Sequence, residues 1–279
     1  MDIKEAKCAI IHDWFLKNSS GGSEKVTFLI DKFLTENYSK PDIYALVSNS
    51  NNLNNIKTSF IQALPFGRTN VQNYLPILPF AIEQIDLSKY DFVISSSHAF
   101  SKGVITTPYQ LHISYVHTPM RYAWDQMNTY MDQLKFKKYK FDIPIKYFLF
   151  KLRQWDFISS QRIDYLISNS NFTSRRIKKY WGLDSEVINP PVDVKRFKYD
   201  KSRDDFYLSV NRLVPNKRID LLVKAFNKLK FPLIIIGDGP ERLKLEKIAN
   251  SNISFLRNKS DIEIEEYMSR CRAFVYAGV

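Results

Sequence analysis

The stretch AKCAIIHDWFLKNSSGGSEKVTFLIDKFLTENY, residues 6–38, sets the fold. A short apolar run over residues 6–11 meets a polar loop, HDWFLKNSSGG, and a segment follows in which Val26, Leu29, Ile30, Phe33 and Leu34 keep helical spacing. That is a strand, a loop and a helix. Working outward, short apolar runs recur at DIYALV (42–47), DFVISS (91–96), HISYV (112–116), DYLIS (164–168) and EVIN (186–189), with helical patterns between several of them. Such alternation predicts a parallel sheet covered by helices. After NPPVDVKRF the chain turns polar through KYDKSRDD, and a second series begins: FYLSV, PLIII, ISFL and AFVY, again spaced by helical stretches such as RIDLLVKAFNKL. The doubling predicts two α/β domains, 1–192 and 206–279, joined by a linker at 193–205.

Composition narrows the function classes. A chain of 279 residues with 44% hydrophobic and 25% charged residues is folded rather than disordered. Forty-one Lys and Arg against 29 Asp and Glu leave +12, so its partners are expected to be anionic: a phosphorylated small molecule, acidic lipid or nucleic acid. Cys8 and Cys271 show neither a CxxC nor a Cys/His spacing, which argues against a zinc site or a disulfide framework and fits a reducing cytoplasm. No apolar run is long enough to span a bilayer, and the N-terminus does not read as a signal peptide. No helix-turn-helix, RNP or zinc pattern supports specific nucleic-acid binding.

In open parallel sheets ligands gather outside the carboxyl ends of the strands, so unusual residues following strands are the candidates. Gly21 and Gly22 open a helix after the first strand, where backbone N–H groups attract anions, although an ordinary helix start would look the same. His117 follows HISYV; it reads either as a group that exchanges a proton near neutral pH or as a structural histidine at a strand end. Arg212 after FYLSV and Lys217 at the start of the next helix make a cradle for a diphosphate leaving group that needs no metal. Gly237 and Gly239 in GDGPERL form a tight strand-to-helix turn that admits a nucleotide, or a plain turn. Residues 134–153, LKFKKYKFDIPIKYFLFKLR, carry seven basic residues and one acid among aromatics. They suit an anionic membrane surface, with Phe136, Tyr147, Phe148 and Trp155 at the interface, a buried amphipathic helix with a solvated basic face, or, through interleaved aromatics and lysines, a nucleic-acid surface.

Six segments in order, GGSEKV, SYVHTPMRYAWD, YLISNSNFTSRRIKKYWG, VINPPVDVKRF, LSVNRLVPNKRIDLLVKAF and IIGDGPERL, resemble the GT-B glycosyltransferases of family four. The resemblance implies a GT-B architecture of two Rossmann-like domains facing a cleft, the second incomplete, and transfer of a hexose from a nucleotide diphosphate sugar with retention. SYVHTPMRYAWD is most similar to bacterial mannosyltransferases of surface polysaccharide synthesis, which points to GDP-mannose as donor, a glycan or lipid-linked glycan as acceptor, and the cytoplasmic face of the membrane as the place of action. By residue it implies that Arg212 and Lys217 hold the donor diphosphate without a metal or other cofactor, that Gly21 and Gly22 admit donor phosphate and acceptor, and that His117 lies by the transferred sugar. Gly237, Gly239, Phe255 and Leu256 would line the nucleotide pocket. The family's usual glycine after the FL pair is Arg257 here, and the paired glutamates that follow AFVYAGV in the family are absent, so a non-catalytic binding fragment is the competing expectation. The last run, 273–276, is expected to be an edge strand.

Overall fold

The structure, a computed structural model, describes residues 6–16, 21–49, 55–133, 142–197 and 203–278. Internal contacts divide the chain into two compact units, Met1–Pro191 and Val192–Val279.

The first unit holds β1 (Cys8–Phe15), α1 (Gly22–Asn37), β2 (Asp42–Ser48), β3 (Ile56–Thr58), α2 (Leu78–Glu83), β4 (Phe92–Ser97), β5 (Leu111–Val116), α3 (Met127–Gln133), α4 (Asp142–Ser160), β6 (Tyr165–Ser168), α5 (Asn171–Trp181) and β7 (Glu186–Val187). The strands form one sheet in the order β3-β2-β1-β4-β5-β6-β7, and every pairing is parallel. Successive crossovers leave β1 in opposite directions, so the order reverses beside it and a crevice opens at the carboxyl ends of β1 and β4. Apolar residues of both sheet faces are buried, Ala9 and Ile11 in one cluster with helix α2, Cys8 and Ile10 in another with α1.

The second unit repeats the plan with β8 (Tyr207–Val210), α6 (Ile219–Leu229), β9 (Leu233–Ile236), α7 (Arg242–Ile248), β10 (Ile253–Leu256), α8 (Asp261–Arg270) and β11 (Ala273–Phe274). Its order is β10-β9-β8-β11, again all parallel, with β11 at one end. Helix α6 buries Ile219, Leu222, Val223 and Phe226, spaced three and four apart, against Leu233 and Ile235. Helix α8 starts on a full capping box: the Ser260 hydroxyl accepts from the Glu263 N–H, and the Glu263 carboxylate accepts from the Ser260 N–H.

Three expectations change. The first strand does not stop at Ile11 but continues through His12, Asp13, Trp14 and Phe15. His12 and Asp13 read as loop because their partners, the β4 backbone and the turn after it, are some 85 positions away in sequence. Strand β3, three residues long, is too short to show a period. Within 134–153, residues 134–141, Phe136 among them, lie outside the described residues. Of the other proposed interface aromatics only Tyr147 is exposed; Phe148 and Trp155 pack on the main core, and the Trp155 indole N–H donates to Glu83.

Candidate active site

Asp13, near the end of β1, is fully buried, and its carboxylate accepts the backbone N–H groups of His98 (2.7 Å), Ala99 (3.1 Å), Phe100 and Ser101 (2.8 Å). The His98 Nδ1 atom lies 3.0 Å from the same carboxylate. Burial alone would raise the Asp13 pKa, but the charge of His98 and these donors outweigh it and hold the group well below the ordinary carboxylate range. The converse holds for His98: burial would lower its pKa, and the Asp13 carboxylate raises it instead.

His12, the neighbouring residue on β1, is also buried; its Nδ1 lies 2.9 Å from the Ser96 carbonyl, and its Nε2 has no partner among the described residues. Thr27 of α1 lies 3.2 Å from His12 Nδ1 and bonds the Ser96 hydroxyl at 2.8 Å, and that hydroxyl lies 2.9 Å from Nε2 of His117. One polar chain thus ties β1, α1, β4 and the residue after β5. His117 itself is held from both sides. Its N–H donates to Ser97, its carbonyl accepts from Thr173 of α5, and Arg176 of α5 bonds Thr118 and pairs with Asp125 at 2.6 Å. Burial, then the nearby charges of His12 and His98, lower the His117 pKa to about 3. The expectation of proton exchange near neutral pH is therefore corrected: His117 is a neutral imidazole there, and what it offers is hydrogen bonding.

Gly21 is the extended residue before α1 and Gly22 opens the helix, with no side-chain cap on the first turn. A Cβ at Gly21 would lie 2.6 Å from a Glu24 carboxylate oxygen, whereas one at Gly22 would meet nothing within 4 Å. Gly22 thus leaves open space beside the first turn of α1. Glu24, in the same turn, is buried.

In the second unit all six expected residues fall at the carboxyl ends of β8, β9 and β10. Arg212, two residues past β8, is exposed. Lys217 closes a 3-10 turn, Pro215–Lys217, just before α6, whose start has no side-chain cap; its ammonium donates to the Tyr276 hydroxyl at 2.9 Å and lies 5.3 Å from that ring. The glycines bring these strand ends together. At Gly237, with φ +139°, a Cβ would lie 1.9 Å from the Asn211 carbonyl oxygen, and at Gly239 it would lie 2.4 Å from that of Leu213. What presses on the GDG turn is therefore the backbone on either side of Arg212. Phe255 and Leu256 join different clusters, with Leu233 and Leu208 respectively, as successive strand residues must, so they line opposite faces of the sheet.

Sequence reading passed over His12, Asp13, Thr27, Ser96, His98, Arg242 and Tyr276. The rule that singled out His117, a polar residue where a buried strand ends, applies equally to the HD of HDWF and the SSSH of ISSSH. Arg242 is a clamp: its guanidinium donates to the carbonyls of Gly237 and Phe255. Among the described residues no group of three or more His, Cys, Asp or Glu side chains is arranged to hold a metal ion.

Residues 192–278 match the family model described as glycosyl transferases group 1. An uncharacterized glycosyltransferase of Methanocaldococcus jannaschii is 29% identical over 111 residues, 38% of this chain, and the match covers 29% of that relative's length. Among solved structures, WaaG, a glycosyltransferase involved in lipopolysaccharide biosynthesis, aligns over 97% of this chain and 75% of its own at 13% identity, with a TM-score of 0.57. An alpha-glucosyltransferase in complex with UDP and DNA aligns over 99% and 72% at 10% identity, TM-score 0.54. AviGT4, a glycosyltransferase involved in avilamycin A biosynthesis, aligns over 98% and 69% at 14% identity, TM-score 0.50. At these identities the likeness is one of fold: with two Rossmann-like parallel sheets, of seven strands and four, the chain has the α/β GT-B architecture of its glycosyltransferase neighbours.

Proposed function

We propose that the chain is a glycosyltransferase that moves a hexose, mannose from GDP-mannose, onto a glycan or lipid-linked glycan with retention of configuration. The observation that carries the reading is the edge of the second sheet. There Arg212 and Lys217 lie in the loop that leads from β8 to the uncapped start of α6, in the region matched by the glycosyl transferases group 1 model. Two cations and a helix N-terminus favour a diphosphate, and most strongly as it departs carrying the negative charge that develops in transfer. In this reading these groups meet that charge without a divalent metal. Gly22 gives a phosphate or acceptor access to the start of α1, and neutral His117 holds a hydroxyl of the transferred sugar. The mannose assignment rests on the SYVHTPMRYAWD segment.

The protein acts at the cytoplasmic face of a membrane in this reading, with α4 as its contact. Ile143, Tyr147, Phe150, Phe157 and Ile158 are exposed on α4 and fall on one helical face, with Lys146 and Lys151 to either side. Among the described residues no helix is long and apolar enough to cross a membrane.

The test is release of nucleoside diphosphate from GDP-mannose, UDP-glucose and UDP-N-acetylglucosamine in the presence of glycan acceptors. The reading predicts acceptor-dependent release from GDP-mannose, abolished in the Arg212→Ala, Lys217→Ala double variant. Release from UDP-sugars alone would overturn the mannose assignment, and release from none would overturn the activity.

A further inference from the structure

The first unit carries a second cavity, of about 470 Å³, that the transfer reading leaves unused. Its size falls within the roughly 300–1,000 Å³ of small-molecule sites. Tyr44, the third residue of β2, lines it together with Thr58 at the end of β3, Gln84 just after α2, and Asp86 and Lys89 of the segment that leads into β4. The cavity therefore lies toward the amino ends of the strands, whereas His117 follows β5 and Gly22 opens the helix that follows β1. Its walls are fixed by hydrogen bonds that the ligand does not have to supply. Ser59 caps the 3-10 turn Phe60–Ala63: its hydroxyl accepts the Ile61 N–H and donates to the Leu46 carbonyl at 2.7 Å. That sets Phe60 on the lining, exposed, with its ring 6.0 Å from the equally exposed ring of Phe80. Tyr44 is held by its hydroxyl, 2.9 Å from that of Tyr90, which in turn donates to Asp42.

The charges around the cavity cancel. Asp42 holds both Lys57, at 2.7 Å, and Lys89, at 3.3 Å, and Asp86 adds a second carboxylate. Two cations and two carboxylates leave no net charge, in a chain that carries +12 as a whole, so the lining does not favour a phosphate or a nucleotide. What it offers instead is uncharged hydrogen bonding. The Thr58 hydroxyl and the Gln84 amide line the cavity with no hydrogen-bond partner among the described residues, and between them they can both donate and accept. Phe60, the half-buried Tyr44 ring and Ile85 add apolar surface beside them. An uncharged ligand that needs both kinds of wall is a pyranose. Its hydroxyls project around the ring edge, and the C–H groups of its face, with their partial positive charge, meet the negative face of an aromatic ring.

We propose that this cavity is a carbohydrate-binding site that holds an uncharged hexose unit of a glycan, with its C–H face on the aromatic wall and its hydroxyls on Thr58, Gln84 and Asp86. The binding stands on the cavity alone. Its use, to anchor a glycan at a place separate from the carboxyl ends of the strands, rests on the glycosyl-transfer reading.

The test has two arms on the whole chain. In the first, saturation-transfer NMR follows titration with neutral mannotriose and maltotriose. Saturable binding of at least one is expected, about three- to tenfold weaker in Gln84→Ala and weaker again in Phe60→Ala. Both side chains are exposed, so the circular dichroism spectrum is expected to stay unchanged. The Arg212→Ala, Lys217→Ala double variant, altered in the other unit, is expected to bind the trisaccharides as before. Three results overturn the site: no saturable binding of either trisaccharide, an affinity that Phe60→Ala and Gln84→Ala leave unchanged, or displacement of the sugar by inorganic phosphate. In the second arm, Phe60→Ala is expected to raise KM for a glycan acceptor while kcat, and nucleoside diphosphate release with a methyl hexoside as acceptor, stay unchanged. An unmoved KM overturns the anchoring role. Absence of nucleoside diphosphate release from the unaltered chain overturns the glycosyl-transfer reading instead, and the trisaccharide titration still decides whether the cavity binds a sugar.

Discussion

At the residue scale, the buried polar groups of the first unit make its stability depend on pH in a predictable direction. His12 and His112 have pKa values lowered to about 4 and His117 to about 3, in each case first by burial. As the pH falls below the ordinary histidine value, the unfolded chain takes up protons that the native state refuses, so stability is present above about 6.5 and lost downward from there. His98 works the other way: its raised pKa contributes stability below the ordinary value, which is lost as the pH rises through its folded pKa. Three groups outnumber one. Urea unfolding at about pH 7 and about pH 4.5 should show the lower pH less stable, by roughly 2–3 kcal/mol per lowered histidine before the His98 contribution, and equal stabilities would contradict the burial described. Tyr276→Phe removes the oxygen that orients Lys217 and is expected to weaken nucleotide binding about three- to tenfold, the worth of one hydrogen bond; calorimetry reads it directly. Arg212 and Lys217 were legible because cations after a strand stand out in sequence. Asp13 and His98 were not, because what gives them meaning is each other, 85 positions apart.

At the element scale, a buried ion pair locks helices α4 and α5 and the turn before α3 to the turn that carries His98. Lys102 donates to Asp156 of α4 at 2.6 Å and to the Ala99 carbonyl, and the other Asp156 oxygen accepts the indole N–H groups of Trp124 and Trp181. Lys102→Met would strand that carboxylate in the core and is expected to cost about 3–5 kcal/mol; a loss below about 1 kcal/mol in chemical unfolding would show that Asp156 reaches water. Helix α4 also tests the membrane reading. Vesicles containing about 30% anionic lipid should carry the protein upward in flotation, and Tyr147→Ser with Phe150→Ser should reduce that fraction; equal binding to neutral vesicles, or none to either, would argue against it. The helices were the readable elements. Residues 171–181 announce α5 by a serine that caps its start and by Gly182, left-handed at φ +72°, that ends it. The end of β1 was not readable, since His12 and Asp13, held by polar partners, interrupt the apolar run before Trp14 and Phe15 rejoin the core.

At the scale of the whole molecule, two parallel sheets share one winding plan, and each gathers its unusual residues at the carboxyl ends of its central strands. The doubling of the apolar runs foretold this architecture. The glycines of the GDG turn belong to it as well: a side chain at Gly237 would collide with the Asn211 backbone, so Gly237→Ala should destabilise the second unit by at least about 2 kcal/mol and displace the loop that carries Arg212. The +12 charge predicts that any polyanion binds to some degree at low salt, so affinity for a nucleotide carries weight only where it saturates and depends on named residues. The decisive measurement is calorimetric titration of the whole chain with GDP and UDP at physiological ionic strength, repeated on Arg212→Ala with Lys217→Ala. The account predicts saturable one-to-one binding of a nucleoside diphosphate that weakens at least about tenfold in the double variant. Binding that survives both substitutions unchanged, or no saturable binding of either nucleotide, would contradict it.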